Sequence, residues 1–191
     1  MNYYWMSIKS DRVSSVAYAP KGTPSWHQIL DEMKHWEIVP FHLTLHDTYV
    51  DTSLQVGEIC DDFFDYQPNS LAWPLFSDRI KNVVSSHLSG NEGIEWKEII
   101  VDGKSFSKTY FVPMFTKQLD VVNVQQSLMM PYSGIIVKPC FKRKVVDNLS
   151  VFHGPGIDWL VSTQFYVSDA IKNDLLDLGI KELLFTMARV K

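Results

Sequence analysis

Apolar and polar positions in this chain repeat with two periods, and each period marks out different elements. From Thr23 the residues TPSWHQILDEMKHW carry Trp26, Ile29, Leu30 and Met33 at helical spacing. Thr23 is placed to cap and Pro24 suits a first helical position, so a helix ending near His35 is expected. FHLTLHDTYVD, from Phe41, alternates instead. Phe41, Leu43 and Leu45 fall on one side and His42, Thr44 and His46 on the other, the pattern of a half-buried strand. Further on, IEWKEIIV and KSFSKTYFVPMF are joined through Asp102-Gly103, a strong hairpin turn signal, with Pro113 expected at the edge or end of the returning strand. LDVVNV, SGIIVKPC, WLVSTQFYV and IKELLFTMARV are further strand candidates. The sum is an α+β fold: a mixed, largely antiparallel sheet with a few flanking helices, in one domain over residues 1–191.

Two helix starts read almost alike. Ser-Asp-x-Ile-Lys-Asn begins at Ser77 and again at Ser168. In each case Ser stands where an N-cap belongs and Asp puts negative charge at the positive end of the helix dipole. Ile80, Val83, Val84 and Leu88 then recur at helical spacing before Gly90, as Ile171, Leu175 and Leu178 do before Gly179. Capping chemistry accounts for Ser and Asp but not for Lys and Asn. An internal echo of one strand-helix-strand unit is the sharper reading of the match, although six residues fall short of the fixed-period evidence that a repeat requires.

Composition narrows the class. Apolar residues make up 46% and charged residues 21% of the 191, which favours a packed globular chain over a disordered one. No run approaches the length of a membrane span, and the opening MNYYWMSIKSDR lacks the basic head and apolar stretch of a secretory leader. Cys60 and Cys140 lie far apart without a CxxC, which favours a reducing, cytoplasmic setting. The charge is unevenly spread. Between His35 and Asp78 there is no Lys or Arg, and the segment carries −8, leaving +4 on the remainder of a chain whose net charge is −4. Such a segment is either a solvated acidic face or a surface for a basic partner.

The candidate chemistry is sparse. No Gly-rich phosphate loop, GxSxG elbow or HExxH is present, and FHGPGIDW reads as a rigid turn. On a strand His42 and His46 stand about 13 Å apart, too far to share an ion, so no metal and no cofactor is expected. The basic run KPCFKRK is too small against the acidic balance to suggest nucleic acid. What stands out is CDDFFDY, which mixes carboxylates with aromatic rings. Rings anchor interfaces and carboxylates pair with Arg or Lys of a partner. The candidate partner-binding residues are therefore Asp47, Asp51, Glu58, Asp61, Asp62, Phe63, Phe64 and Asp65. Two other readings stay open: an enzyme using the region of His42, Asp47 and Asp51, and a structural interaction protein.

Residues from about 70 to 191 carry a resemblance. WPLFSDRIKNVV (73–84), the IEWKEIIV strand, YFVPMF (110–115), LDVVNVQQS and the terminal QFYVSDAIKNDLLDLGIKELLF occur in an order and spacing similar to bacterial immunity proteins, in the groups numbered eleven and forty-three. Members often carry a charged residue where this chain has Ala170. The resemblance implies a cytoplasmic α+β protein without catalysis of its own, which binds a cognate toxin domain and blocks it. Contact residues differ from member to member, so none is carried over. An acidic inhibitor would suit a basic partner such as a nuclease toxin, whose groove binds phosphate.

Overall fold

The computed structural model describes residues 1–21, 41–48, 57–156 and 159–191. The helix expected from Thr23 and the candidate Asp51 lie outside them. In chain order the described elements are β1 (Tyr3–Ile8), β2 (Ser15–Tyr18), β3 (Phe41–Asp47), β4 (Tyr66–Gln67), β5 (Leu75–Phe76) and α1 (Asp78–His87). There follow β6 (Ile94–Asp102), β7 (Ser107–Phe115), β8 (Leu128–Met129), β9 (Ile136–Lys138), β10 (Cys140–Phe141) and α2 (Arg143–Val146). The chain ends with β11 (Val151–His153), β12 (Phe165–Ser168), α3 (Asp169–Asp177), β13 (Leu183–Met187) and β14 (Arg189–Val190). The fold is α+β with mixed and antiparallel sheets.

The hairpin turn at Asp102-Gly103 anchors the larger sheet. β6 and β7 pair antiparallel along their whole length, from Ile94 opposite Phe115 to Asp102 opposite Ser107. The sheet runs β2-β3-β6-β7-β5-β4. It then returns on itself: Ala17 N–H donates to the Pro68 carbonyl (2.9 Å), and Ser70 N–H donates to that of Ala17 (2.9 Å). This single bridge, Ala17 to Asn69, joins the two outer strands and closes the sheet into a barrel. Alternation along the strands then sorts the side chains. Leu43, Leu45, Ile99, Val101, Tyr110 and Val112 fill the barrel, while Phe76, Trp96 and Phe115 point outward. Pro113 lies inside β7, opposite Trp96, rather than at its end. The neighbouring β5 reaches only Phe111, so the missing N–H removes no bond from that ladder.

The second sheet runs β11-β12-β1-β13 and brings the chain's first strand into the middle of its last elements. Phe165, Val167, Met6 and Leu183 of this sheet meet the outward rings of the barrel, with Ile80 and Val84 of α1 and Ile171 and Leu175 of α3 completing the cluster. On the other face Tyr3, Phe152, Tyr166 and Phe141 pack together. The Tyr3 hydroxyl donates to the carbonyls of Val146 and Leu149, and burial pushes its pKa up to about 12.

The repeated Ser-Asp start marks two units of the same topology. In the first, β5 and β6 lie parallel on either side of β7, which runs antiparallel to both, and α1 connects them. In the second, β12 and β13 lie parallel on either side of antiparallel β1, and α3 connects them. The Lys that capping chemistry left unexplained now has a reason. Lys81 Nζ stands 3.7 Å from the ring centre of Phe111 on β7, and Lys172 Nζ stands 4.1 Å from that of Tyr4 on β1. Phe111 is opposite Phe76 and Tyr4 is opposite Val167, the residues just before the two serines. A cation over an aromatic face is favourable, and the lysine stem covers the middle strand. Asn82 and Asn173 are both exposed, and no contact of theirs explains the match.

Two expected strands are shorter than their sequence pattern. WLVSTQFYV becomes a strand only from Phe165, and LDVVNV holds a single bridge, Val122 to Phe141, before a short 3-10 turn at Val124–Gln126.

Candidate protein-binding surface

The acidic, aromatic segment lies along one end of the barrel. β6 pairs with β3 only as far as Asp102 opposite Thr44. Beyond that point residues 58–60 pair with β3: Asp47 N–H donates to the Glu58 carbonyl (2.9 Å) and Cys60 N–H to that of Leu45 (3.2 Å). Lys104 N–H in turn donates to the Cys60 carbonyl (3.1 Å), joining the segment to the hairpin turn. Gly103 is required here. A Cβ at that position would stand 2.4 Å from Asp61 Oδ1 and 2.8 Å from Phe63 Cζ.

Most of the carboxylates proposed from the sequence have partners inside the chain. Asp61 Oδ1 accepts from Ser105 N–H (2.9 Å), and hydrogen bonds from the Ser105 backbone and side chain hold its pKa below the usual carboxylate value. The Asp62 carboxylate accepts from the Ser14 hydroxyl, and its carbonyl from Ser15 Oγ (2.5 Å). Asp65 accepts from Ser77 Oγ (2.6 Å) and pairs with Arg79 (2.5 Å) at the start of α1. Its N–H donates to the buried Glu182 (2.8 Å), which ties the segment to the second sheet. Ser77 thus sits at the N-cap position, but its hydroxyl bonds Asp65 rather than the helix backbone. Ser168, in contrast, accepts from Ile171 N–H (3.5 Å) as a cap should.

The aromatic candidates are half-buried. Phe63 packs against the barrel core and lies 5.0 Å from Phe106 with the rings tilted by 36°, and Lys108 Nζ stands 4.8 Å from the Phe63 ring centre. Phe64 donates its N–H to Gln67 Oε1 (3.1 Å) and accepts from the Tyr110 hydroxyl (2.7 Å) through its carbonyl. Glu58 and Asp62 are exposed, as are two apolar residues that sequence reading missed, Ile59 and Phe106. The surface available to a partner therefore holds two exposed apolar side chains, Ile59 and Phe106, with the carboxylates of Glu58 and Asp62 and the exposed lysines Lys104 and Lys108 around them.

The enzyme reading places its residues apart. His42 and Asp47 stand near opposite ends of β3, about 17 Å along the strand. His42 Nδ1–H donates to Asp102 Oδ2 (2.9 Å), and Ser107 Oγ donates to Asp102 Oδ1 (2.5 Å). The carboxylate thus lies between hydroxyl and imidazole, and these two bonds hold the Asp102 pKa down. A nucleophilic Ser needs the imidazole in the middle, so the order is wrong for activating Ser107. Among the described residues no three His, Cys, Asp or Glu side chains converge as metal ligands would.

A second surface was also missed. Residues 121–137 contain no charged side chain, a run legible in the sequence. They include the β8–β9 hairpin, where Leu128, Ile135 and Val137 are more than half exposed and Tyr132 is fully so. The signal was overlooked because strand candidates are normally apolar, and only exposure makes these unusual.

No family model matches the chain, and no curated protein matches it either.

Proposed function

We propose that the protein is a cytoplasmic immunity protein: it binds a cognate bacterial toxin domain and neutralises it by covering the toxin's active surface. The observation that carries this reading is the barrel end, where exposed Ile59 and Phe106 stand beside the carboxylates of Glu58, Asp61 and Asp62. An apolar centre ringed by charge is the anatomy of a specific protein interface, and the carboxylates suit the basic groove of a nuclease-type toxin. The resemblance of residues 70–191 to immunity proteins supports the same reading. Because Asp61 and Asp65 also hold the chain together, reversing them would weaken the fold as well as any complex. Glu58 and Ile59 are the cleaner probes.

The test is co-expression with the C-terminal domain encoded immediately upstream. Growth should be restored by the intact chain, and the purified pair should form a one-to-one complex. Glu58→Lys combined with Ile59→Asp should weaken that complex by at least about tenfold without lowering the melting temperature. No rescue and no complex would reject the reading.

A further inference from the structure

One face of the second sheet is only half covered. By register Phe152, Tyr166, Trp5 and Thr186 form a row across β11, β12, β1 and β13. Phe141 of β10 covers one end of that row, edge-on to Phe152 at 4.8 Å and to Tyr166 at 4.7 Å. At the other end Trp5 and Thr186 are exposed. Where the cover stops there is a groove of about 550 Å³, a volume within the range of small-molecule sites. Lys138 and Arg189 also line it, and among the described residues no Asp or Glu does.

The groove's aromatic walls are held by contacts within the chain. Trp5 Nε1–H donates to the Thr163 carbonyl (3.3 Å), which fixes the indole. The Tyr166 ring stacks on Phe152 (5.1 Å, 6° between planes) and the residue is only 5% exposed. The hydroxyls of Tyr3 and Tyr110 donate to carbonyls, but that of Tyr166 has no hydrogen-bond partner among the described residues. It is not sealed from solvent, so it is the polar group that this buried side chain offers to the groove. Burial pushes its pKa up to about 12, which keeps it a donor at neutral pH. Lys138 and Arg189 are exposed and make no ion pair among the described residues. Lys138 opens the basic run KPCFKRK, in which Lys142 and Arg143 are paired with Asp120 and Asp147. A chain of net charge −4 thus places two uncompensated cations at one aromatic groove.

We propose that this groove binds a small aromatic anion, a planar ring carrying one carboxylate or phosphate group. The ring lies against Trp5, and the anionic oxygens accept from Lys138, Arg189 and the Tyr166 hydroxyl. Each part of the occupant answers a feature of the site. Two cations without a carboxylate beside them select negative charge, and a guanidinium can bind two oxygens at once. A fixed, exposed indole offers a flat apolar surface to a second ring. A groove of this size suits one such molecule, and with Lys142 and Arg143 already paired there is no stripe of cations to follow a nucleic-acid backbone.

The test is titration of the full-length chain with naphthylacetate and with naphthyl phosphate, followed by calorimetry and by the indole N–H resonance of Trp5. At least one of the two should bind with a dissociation constant below about 1 mM and move that resonance. The tighter of them identifies the anionic group as carboxylate or phosphate. Naphthylacetamide, the ring without the charge, and inorganic phosphate, the charge without the ring, should each bind at least about tenfold more weakly. Lys138→Gln with Arg189→Gln, both at exposed side chains, should weaken binding about tenfold or more, and Tyr166→Phe, which keeps the ring, about fivefold. Binding of neither anion overturns the proposal. So does equal binding of the neutral amide, a Trp5 resonance that does not move, or an affinity unchanged in both folded variants. No toxin takes part, so failure here leaves the barrel-end reading standing, and failure of toxin binding leaves this site standing.

Discussion

The first unit, β5-α1-β6 around β7, and the second, β12-α3-β13 around β1, share five of six residues at their helix starts but are held in place differently. Ile80 and Ile171 are both fully buried, as are Val84 and Leu175 one turn later. Both lysines cover the ring of the middle strand. Yet the first Ser is fixed by Asp65 from a distant loop, while the second caps its own helix. In the first unit the middle strand follows the helix in sequence; in the second it comes from the chain's other end. Common local chemistry thus serves two assemblies closed by different long-range partners. The helices meet directly: His87 Nε2 pairs with Asp174 (2.7 Å), and Arg79 donates to the Leu178 carbonyl (2.7 Å).

The comparison can be broken most forcefully at the buried isoleucines. Ile80→Ala and Ile171→Ala should each cost about 2–4 kcal/mol in urea unfolding, since each leaves a cavity in the one cluster that both helices share. A cost confined to one of them would show that the units are not equivalent. The next largest effect is expected at Asp65→Ala, about 1–3 kcal/mol, because it leaves Ser77, Arg79 and the loop without their common partner. Ser168→Ala should cost about 1 kcal/mol by loss of the cap. Ser77→Ala should cost little once Asp65 is already absent, and a double-mutant cycle measures that coupling. Lys81→Met and Lys172→Met, which keep the stem and remove the charge, should each cost about 0.5–1 kcal/mol. A similar loss at both sites would sharpen the parallel.

The contact between the units should also respond to acid. His153 of the second sheet packs edge-on to Phe115 of the barrel at 4.9 Å. Its Nε2 accepts from Leu119 N–H (2.9 Å) and its Nδ1–H donates to the Gly154 carbonyl (2.8 Å), so the ring is neutral. Burial lowers its pKa below the ordinary 6.5. Below that pH the unfolded chain takes up a proton that the folded chain resists, so stability falls as pH drops through 6.5. His153→Gln should flatten the denaturation midpoint against pH over this range. An unchanged profile would show that His153 does not couple to acid.

What could be read from the sequence was what neighbouring residues decide. Asp102-Gly103 forced a hairpin between adjacent runs, and Ser168 with Asp169 began a helix whose apolar stripe was already visible. The α+β class followed from the two periods. The acidic segment was legible as charge, but its carboxylates could not be assigned. Ser105, Ser14 and Arg79 bond Asp61, Asp62 and Asp65 from up to 48 positions away, and no local pattern encodes such distances. The charge-free run at 121–137 was equally open to reading, yet apolar sequence has the same appearance whether it lies in a core or in solvent. Tertiary structure decided that Val121 of this run enters the core while its hairpin stays exposed, that the six-stranded sheet closes through Ala17, and that β1 parts β12 from β13. Each depends on which remote segments meet, and its free energy belongs to the assembled surface rather than to any stretch of chain.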